Sequence, residues 1–447
     1  MKVPKSIREA RLQATPDTIL IVGLALFGLG LIIYRWFFAG IGGVTNLSDG
    51  YPWGFWIGID ILAGIALAAG GFVMAGVVHI FGGKKYHSLA RPAILTALLG
   101  YLLFIGSLMV DLGRPWNLYK AIYSWNQASP MFEVAWCVMM YTTVLFLEFL
   151  PAVFKRLRLD RLMKLFHELV PFVVIGMVTL WTYAMSHSSI AWTAAIFVLM
   201  TGWEVLMRLD IMPRDKQMPL LLIMAGIMFS VMHQSSLGTL YLIVDKLDPL
   251  WYSPILPLLF FISAVMVAPA MVSFEALATA WAFRRTPETR LLQGLGKAMP
   301  YIIGIYLLLR VGDMVVRGAV GGTLTFTFDA FWWWLEIGLL AFAWVLYTTP
   351  EVMARAKGIF TASLAVIFAL VTHRVGVSMV GIDVPEYAAY YPAWTEIMIT
   401  VGILSWGLIA FRLAIHFLPI YEEEPAAEDL TASEKTPEAV ANTAPAG

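Results

Sequence analysis

The chain has 447 residues, of which 60% are hydrophobic and 13% are charged, with equal numbers of acidic and basic residues. This composition is far more apolar than that of soluble domains, so it indicates an all-α, polytopic transmembrane helix bundle. The single cysteine, Cys137, excludes an internal disulfide, a zinc site built on cysteine pairs and an iron-sulfur cluster held by this chain's own thiolates.

Long apolar runs divide the chain into membrane spans. Runs of about 17 to 30 residues, separated by polar or Pro/Gly-rich breaks, predict about twelve spans, with ten as the alternative count. The expected spans are 18–39, 54–82, 93–111, 131–153, 169–186, 190–207, 218–244, 254–283, 300–317, 330–349, 359–380 and 394–418. The basic segment 1–17 precedes a full-length run without a small-residue cleavage site, so we expect a retained first helix. The tail, 419–447, is acidic and rich in Ala and Pro, and is expected to be disordered.

Lysine and arginine residues near the span ends are divided unevenly between the two sides. If the N-terminus lies inside, 21 of them fall on the inner side and five on the outer side. Because basic residues concentrate in cytoplasmic loops, both termini are predicted to be cytoplasmic in a bacterial inner membrane. The longer outer loops, 46–54, 114–130 and 382–396, are expected to shape a docking surface for an extracytoplasmic partner.

Ionisable residues inside the spans are the main hypotheses about function, since a charge at membrane depth is costly. Most of them fall in the outer half of the membrane, namely Asp60, Asp111, Glu133, His233, Arg310, Asp313, Glu336, His373, Arg374 and Glu396. Glu148, Glu204 and Glu275 fall in the inner half. Six acids cannot all pair with two arginines, which indicates a polar cavity that opens outward. The alternative is buried pairing that holds helices together, such as Arg310 with Asp313 one turn away.

The available side chains restrict the chemistry of such a cavity. The sequence has no metal-ligand spacing, no Gly-rich phosphate loop after a strand, and no nucleophile in a recognisable order with a base. Carboxylates, histidine and arginine can hydrogen-bond a carbonyl group and transfer protons, as the reduction of a quinone head group requires. The segment VMHQSSLG, 231–238, places His233 and Gln234 side by side in an apolar span, which favours ligand contact over a purely structural histidine.

Several motifs in order along the chain carry a family resemblance. They are YPWGFWIGIDILAGIALAAGG (51–71), KKYHSLARPAILTALLGY (84–101), DLGRPW (111–116), FEVAWCVMMY (132–141), LEFLP (147–151), MHQSSLG (232–238), LRVGDMVVR (309–317) and PAWTEIMITVG (392–402). Together they resemble the NrfD/PsrC family of quinone-interacting membrane subunits, and within it the HybB-like branch from Hyb-type nickel-iron hydrogenases. Residues 167–216 differ from the short members of that branch and read as an extra helical hairpin.

The resemblance implies a role for the chain and for individual residues. It implies an integral subunit without a redox cofactor of its own, which exchanges electrons between a periplasmic ferredoxin-like iron-sulfur subunit and membrane quinone, either menaquinone or ubiquinone. The iron-sulfur subunit would belong to a nickel-iron hydrogenase, a molybdopterin enzyme or a multihaem cytochrome, and no nucleic acid is involved. The implied quinone-binding residues are Asp60, Asp111, Arg114, Glu133, His233 and Gln234.

The acids in the inner half suggest that proton transfer accompanies the electron transfer. If quinone took its protons from outside, turnover would be electroneutral and the inner acids would be unexplained. Glu133 and Glu148 lie about fifteen residues apart on one helix, ~22 Å, which is too far for direct transfer. We therefore predict a proton route between the cytoplasm and quinone through Glu275, Glu148, Arg310 with Asp313, and Glu133.

Two other classes of protein are alternatives. A di-haem cytochrome b needs pairs of histidines that meet across helices at one depth, and no helix here holds two histidines at the two-haem spacing. A secondary transporter would use the twelve spans as two halves with coupling acids near the midplane. The acids instead crowd one side, and no pair of broken helices stands out.

Overall fold

The computed structural model describes residues 15–80, 83–209, 211, 220–387, 389–418 and 420. Within these ranges the chain is helical, and its one bridge between extended backbones joins Leu247 to Ile382. Residues 1–14 of the basic segment and the acidic tail 419–447 that was predicted to be disordered, apart from residue 420, lie outside the described residues.

Twelve helices in the described part of the chain are long and apolar enough to cross a membrane, which confirms the higher of the two predicted counts. In chain order they are α1 Pro16–Ala39, α2 Trp56–His79, α3 His87–Asp111, α4 Pro130–Leu157, α5 Asp160–Met185, α6 Ile190–Arg208, α7 Leu220–Leu242, α8 Leu256–Ala282, α9 Thr289–Val316, α10 Phe328–Thr348, α11 Ala356–Val380 and α12 Trp394–Phe417.

Some helices begin earlier than their apolar runs predict. The helix α3 begins at His87 rather than 93, and α9 begins at Thr289 rather than 300. In both helices the first turns are polar. The apolar run therefore starts later in the sequence than the helix itself. The helix α9 has two pieces, Thr289–Gly296 and Met299–Val316, and Pro300 starts the second piece because a proline fits the first turn of a helix.

The spans pack as two groups of four helices with additions at the sides. One group contains α2, α3, α4 and α7, and the other contains α8, α9, α10 and α11. The groups meet where α2 packs on α8 and α11, and where α7 packs on α8. In one apolar 18-residue stretch of each helix, 78% of the residues of α2 and 72% of those of α11 are buried, which places these two helices at the centre.

The remaining helices lie at the periphery. The helices α5 and α6 form a hairpin, and α6 is only 11% buried because it packs chiefly on α5. The first and last spans, α1 and α12, pack on each other and join the bundle through α3. Their contact is close because it is made by glycines: a Cβ atom on Gly28 would lie 2.6 Å from the Cα atom of Gly402.

Three short stretches of the spans have the wider π-helical turn. They are Arg35–Ala39 at the end of α1, Trp56–Ala63 at the start of α2 and Gly376–Val380 at the end of α11. All three lie at the predicted outer ends of their helices. A wider turn changes the direction in which side chains point and occurs often at functional sites. The ionisable residues Arg35, Asp60 and Arg374 lie in or directly beside these turns.

Candidate functional site

Two acids from the sequence prediction, Asp60 and Asp111, share one outer polar cluster. The Asp60 carboxylate accepts a hydrogen bond of 2.7 Å from Thr400 on α12, and Ser107 on α3 lies beside it. Asp111 is near enough to Asp60 and to Arg35 for direct electrostatic interaction. Both acids are partly accessible, so the cluster is not sealed from outside the protein.

The cation of this cluster, Arg35, comes from the π-helical end of α1. Its guanidinium group donates a hydrogen bond of 2.7 Å to the Leu112 carbonyl oxygen, and the residue is 3% exposed. This bond fixes the segment that follows α3, which contains the DLGRP motif. Arg114 of the same motif is exposed, and its side chain forms no ion pair or hydrogen bond with another described residue. Among the described residues, Arg35 is therefore the cation that interacts with Asp111.

Glu396, at the start of α12, has a structural role that the sequence did not predict. Its carboxylate accepts hydrogen bonds from the backbone N–H groups of Asn46 and Ala393, both 3.0 Å, and from the Tyr390 hydroxyl. The Tyr390 oxygen in turn accepts from the Phe55 backbone N–H at 2.9 Å. Burial, followed by the hydrogen bond to Glu396, raises the pKa of the Tyr390 phenol. These bonds tie two outer loops to the helix.

The predicted ligand residue His233 lies at the centre of the first four-helix group. It is fully buried on α7, with the ring of Tyr141 at 5.3 Å and the ring of Phe104 at 6.1 Å. Neither ring nitrogen of His233 and neither polar atom of the Gln234 amide has a hydrogen-bond partner in the described part of the chain. Buried polar groups are almost always hydrogen-bonded, so this site requires water or a ligand.

Two buried tyrosines connect His233 to the acids of α4. The rings of Tyr101 and Tyr141 lie 4.2 Å apart, and the Tyr101 hydroxyl is 3.3 Å from the Ser230 hydroxyl. Tyr141 follows Glu133 by eight residues and precedes Glu148 by seven, so helix geometry puts all three on one face of α4. The gap of ~22 Å between the two glutamates is therefore divided near its middle by Tyr141.

A similar stripe runs along α3. Tyr101, Phe104, Ser107 and Asp111 recur at intervals of three or four residues and so share one face. The first two contact the His233 site, whereas the last two belong to the outer acid cluster. Phe104 and Asp111 are seven residues apart, about 10 Å along the helix axis. One helix face therefore joins the His233 site to the outer acids.

The second four-helix group contains a fully buried charged cluster. Glu336 accepts a hydrogen bond of 2.7 Å from Tyr306 and lies 3.6 Å from Arg310, and both ion-pair residues are 0% exposed. Arg374 donates to the Ser263 hydroxyl and the Phe260 carbonyl oxygen, at 3.0 and 3.1 Å. Its other terminal nitrogen is 3.1 Å from the His373 ring. The sequence offered buried pairing between helices as the structural alternative, with Asp313 as the partner of Arg310. The structure has such a pair, but the acid is Glu336.

Asp313, the acid expected one turn from Arg310, pairs with another residue. Its carboxylate accepts a hydrogen bond of 2.8 Å from Arg317, which also donates to the Pro249 carbonyl oxygen. Arg310 faces the bundle interior beneath the Trp251 ring, whereas Asp313 and Arg317 lie at the outer rim. Arg310 and Asp313 therefore belong to different ion pairs. Asp313 pairs with Arg317 at the rim, and Arg310 pairs with Glu336 from α10.

Aromatic rings connect the outer end of the first group to this buried cluster. Trp53 contacts Tyr241 at 5.5 Å between ring centroids, and Tyr241 contacts Phe260 at 6.4 Å. Phe260 contacts His373 at 5.6 Å, and His373 contacts Tyr306 at 6.1 Å. The hydroxyl of Tyr241 has no hydrogen-bond partner among the described residues. The chain of rings spans the boundary between the two helix groups.

The inner acids Glu148 and Glu275 each line a cavity on the predicted cytoplasmic side. Glu148 is 4% exposed and borders a cavity of about 340 Å³, and neither of its oxygens has a partner among the described residues. Glu275 borders a smaller cavity of about 50 Å³ between α3 and α8, with Thr96 beside it. Glu204, by contrast, pairs with Arg208 at 2.8 Å.

The structure brings together some of the predicted site residues and separates others. Asp60 joins Asp111, and His233 joins Gln234. Glu133 is half-buried in the first turn of α4, and its carboxylate forms no hydrogen bond or ion pair with another described residue. Tyr101 and Tyr141 are the additional residues at this site. Their signal in the sequence is the helical spacing of Tyr141 from the glutamates of α4.

Comparison with known proteins places this arrangement among membrane subunits. The sequence profile described as "Polysulphide reductase, NrfD" matches residues 43–385. The chain is 34% identical over 427 residues to a protein of Nitratidesulfovibrio vulgaris, covering 93% of this chain and 97% of that protein. It is 28% identical over 408 residues, 90% and 92% of the two chains, to the "Probable Ni/Fe-hydrogenase 2 b-type cytochrome subunit" of Escherichia coli. It is 24% identical over 429 residues, 89% and 90% of the two chains, to the "Menaquinone reductase, integral membrane subunit" of N. vulgaris.

Proposed function

This chain belongs to the NrfD family, and from that premise we propose that it exchanges electrons between a partner's iron-sulfur centre and membrane quinone. It is a multi-pass protein of the inner membrane and a membrane subunit of the type found in oxidoreductase complexes. The relatives named as a hydrogenase subunit and as a menaquinone reductase subunit support the proposed substrate and the proposed partners.

The proposal rests on the buried and unpartnered polar groups around His233. A quinone head group has two carbonyl oxygens that accept hydrogen bonds and a flat ring that packs on aromatic side chains. His233 and Gln234 offer N–H donors, and the rings of Phe104 and Tyr141 offer flat apolar contacts. The outer acids Asp60 and Asp111 lie on the same side of α3, within reach of a ligand that extends along this face.

The chemistry of quinone reduction assigns a role to the acids. Two electrons come from the partner, and two protons must reach the carbonyl oxygens, so that one quinone becomes one quinol. The chain supplies hydrogen bonds and protons, while the partner supplies the redox centre. Carboxyl groups and imidazole are suited to such proton transfer when they lie within hydrogen-bonding reach of the oxygen atoms or of a bridging water.

We infer that the protons travel from the cytoplasmic side along α4. Glu148 would accept them at the inner cavity, and Tyr141, with Tyr101 beside it, would carry them through bound water to His233 and Glu133. Glu275 and Thr96 form a second inner position that leads to the same face of α3. Arg310 would act through Glu336, since Asp313 is held by Arg317 at the rim. Such turnover moves charge across the membrane, at a cost of ~2.3 kcal/mol per charge against 100 mV.

The test uses the full complex in liposomes, with quinone turnover and charge movement measured together. We expect Glu133→Gln to lose turnover, and Tyr141→Phe and Glu148→Gln to lose charge movement more than turnover. Glu351→Gln, an exposed acid outside this region, is the matched control and should behave as wild type. If all three variants keep wild-type turnover and charge movement, the proton route is wrong. If His233→Ala also keeps wild-type quinone affinity, the quinone site is wrong as well.

A haem-binding cytochrome is the second candidate, and one contact favours it. The rings of His79 and His87 lie 6.4 Å apart and both border the cavity near Glu148, and one relative is named a b-type cytochrome subunit. Two histidines that face each other are the usual ligands of a b-type haem. We expect no Soret band from the purified chain, because the proposed subunit carries no redox cofactor. A stoichiometric pyridine haemochrome spectrum would support the cytochrome instead.

The proposed partner is a ferredoxin-like iron-sulfur subunit on the periplasmic face, which carries a hydrogenase, a molybdopterin enzyme or a multihaem cytochrome. A subunit with no redox centre requires such a partner in order to transfer electrons. The exposed aromatic side chains Trp116, Tyr119 and Tyr123, in the outer loop after α3, offer a docking surface. We expect the partner to co-purify and to be released by protease added from the periplasmic side. Release by protease added only from the cytoplasmic side contradicts the proposed topology.

A further inference from the structure

The cavity beside Glu148 has a composition that proton transfer alone does not explain. It lies at the predicted cytoplasmic ends of α2 to α5 and has a volume of about 340 Å³, which is within the range of small-ligand sites, roughly 300 to 1,000 Å³. Basic and imidazole side chains from four helices border it, namely His79, His87, Arg91, Lys155 and His167. Among the described residues on its wall, the one acid is the buried Glu148.

Two cations at this cavity, Arg91 and Lys155, have no acidic partner in the part of the chain that the structure describes. Arg91 is half-buried and Lys155 is exposed, and neither forms an ion pair or side-chain hydrogen bond with another described residue. His167 uses Nδ1 to contact the Met163 carbonyl oxygen at 2.8 Å, which leaves Nε2 for another partner. Two unpaired cations at one cavity favour an anionic ligand.

The remaining wall of the cavity is apolar. Ile94, Phe149, Ala152 and Met163 contribute carbon surface next to the basic groups. Lys155 lies two residues before the end of α4, and Arg91 lies four residues after the start of α3, about 6 Å into the helix. The basic groups are therefore at the depth of the lipid headgroups of the inner leaflet, and the apolar wall continues toward the hydrocarbon region.

We propose that this cavity binds the headgroup of an anionic phospholipid, with the phosphate between Arg91 and Lys155 and the glycerol backbone along the apolar wall. Basic pockets between transmembrane helices on the cytoplasmic side are suited to such headgroups. Glu148, deeper along α4 than Lys155, accepts hydrogen bonds from the hydroxyl groups of the lipid headgroup, which accounts for its lack of a partner among the described residues. The proposal does not depend on the quinone site, although the lipid pocket shares the Glu148 cavity with the proposed proton route.

Native mass spectrometry of the full complex in a non-ionic detergent tests the proposal. Phosphatidylglycerol is the probe, and phosphatidylcholine and glycerol 3-phosphate are the comparison ligands. We expect one tightly bound phosphatidylglycerol. Arg91→Gln or Lys155→Gln should each weaken it about fivefold, and the double variant about thirtyfold, since each cation near an anionic surface contributes a similar amount. Ala152→Phe, which keeps both charges but fills the cavity, should remove the bound lipid.

The control variant is Arg355→Gln with Lys357→Gln, which removes two exposed cations from the same predicted side away from the cavity and should leave binding unchanged. Equal loss in this control means that the lipid binds to surface charge in general, which overturns the proposal. Equal binding of glycerol 3-phosphate means that the phosphate comes from a soluble ligand. If lipid binds only after Glu422, Glu423 and Glu424 are replaced by Gln, the acidic tail of the chain is the anion that the cavity binds. The lipid site is then rejected.

Discussion

At the scale of single residues, the most deeply buried ion pair among the described residues joins Arg310 to Glu336. Both side chains are 0% exposed, so neither charge can be compensated by solvent. A buried ion pair contributes little net stability relative to apolar residues, but loss of one partner leaves an uncompensated charge. The Tyr306 hydrogen bond to Glu336 and the Trp251 ring over Arg310 support the pair.

We therefore predict that Glu336→Gln lowers the free energy of unfolding by about 3 to 5 kcal/mol. The measurement is reversible unfolding of the purified protein in mixed micelles. Asp17→Asn breaks the exposed pair with Arg412, 3.3 Å long, and should cost less than about 1 kcal/mol. Equal effects of the two substitutions would show that Arg310 is not held by Glu336.

Tyr390 allows a prediction about pH, because it lies in an outer loop between spans. Burial and the hydrogen bond to Glu396 raise its pKa in the folded protein. The folded state therefore favours the neutral phenol, and this stabilisation is complete below the ordinary tyrosine pKa of about 10 and is lost as the pH rises above it. We expect the thermal stability of wild type to fall above about pH 10 more steeply than that of Tyr390→Phe. Parallel curves would contradict the assignment.

At the scale of helices, the contact between α1 and α12 depends on two glycines. A side chain at Gly28 collides with the backbone of Gly402, whereas one at Gly30 meets nothing within 4 Å. We predict that Gly28→Leu costs about 1 to 3 kcal/mol of stability, as overpacking does, and loosens α1 from the bundle. Gly30→Leu is the control on the same helix. Limited proteolysis at the start of α1 and unfolding in mixed micelles measure the two effects.

At the scale of the whole molecule, the orientation in the membrane can be tested directly. We predict that Ser124→Cys, in the loop after α3, reacts with a membrane-impermeant maleimide added to the periplasmic side. Thr286→Cys, in the loop before α9, should react only after the membrane is opened. Both side chains are exposed, while the native Cys137 is buried and provides an unreactive background. The reverse pattern of labelling would invert the topology.

Hydropathy was sufficient to predict the number of spans, because length and apolar content are local properties of the chain. The fold of the site was harder to predict, since partners such as Arg310 and Glu336 lie on different helices and their pairing depends on helix rotation. Tyr141 was missed because its one signal, the helical spacing from Glu133 and Glu148, is shared by other core residues on the same face of α4. The π-helical turn that carries Asp60 also left no sequence signal. The extra residue in a π-helical turn changes the direction of the side chains but leaves the amino-acid composition of the helix as it is.

The pairing of α1 with α12 also affects the order of events during synthesis. About 370 residues separate Gly28 from Gly402, so the first helix enters the membrane long before its main neighbour exists. At translation rates of about 5 to 20 residues per second, the delay is roughly 20 to 75 s. During this interval α1 can leave its place or meet other membrane proteins. Completion of the bundle therefore waits for the last span, and a truncated nascent chain that lacks α12 exposes its first helix to quality control.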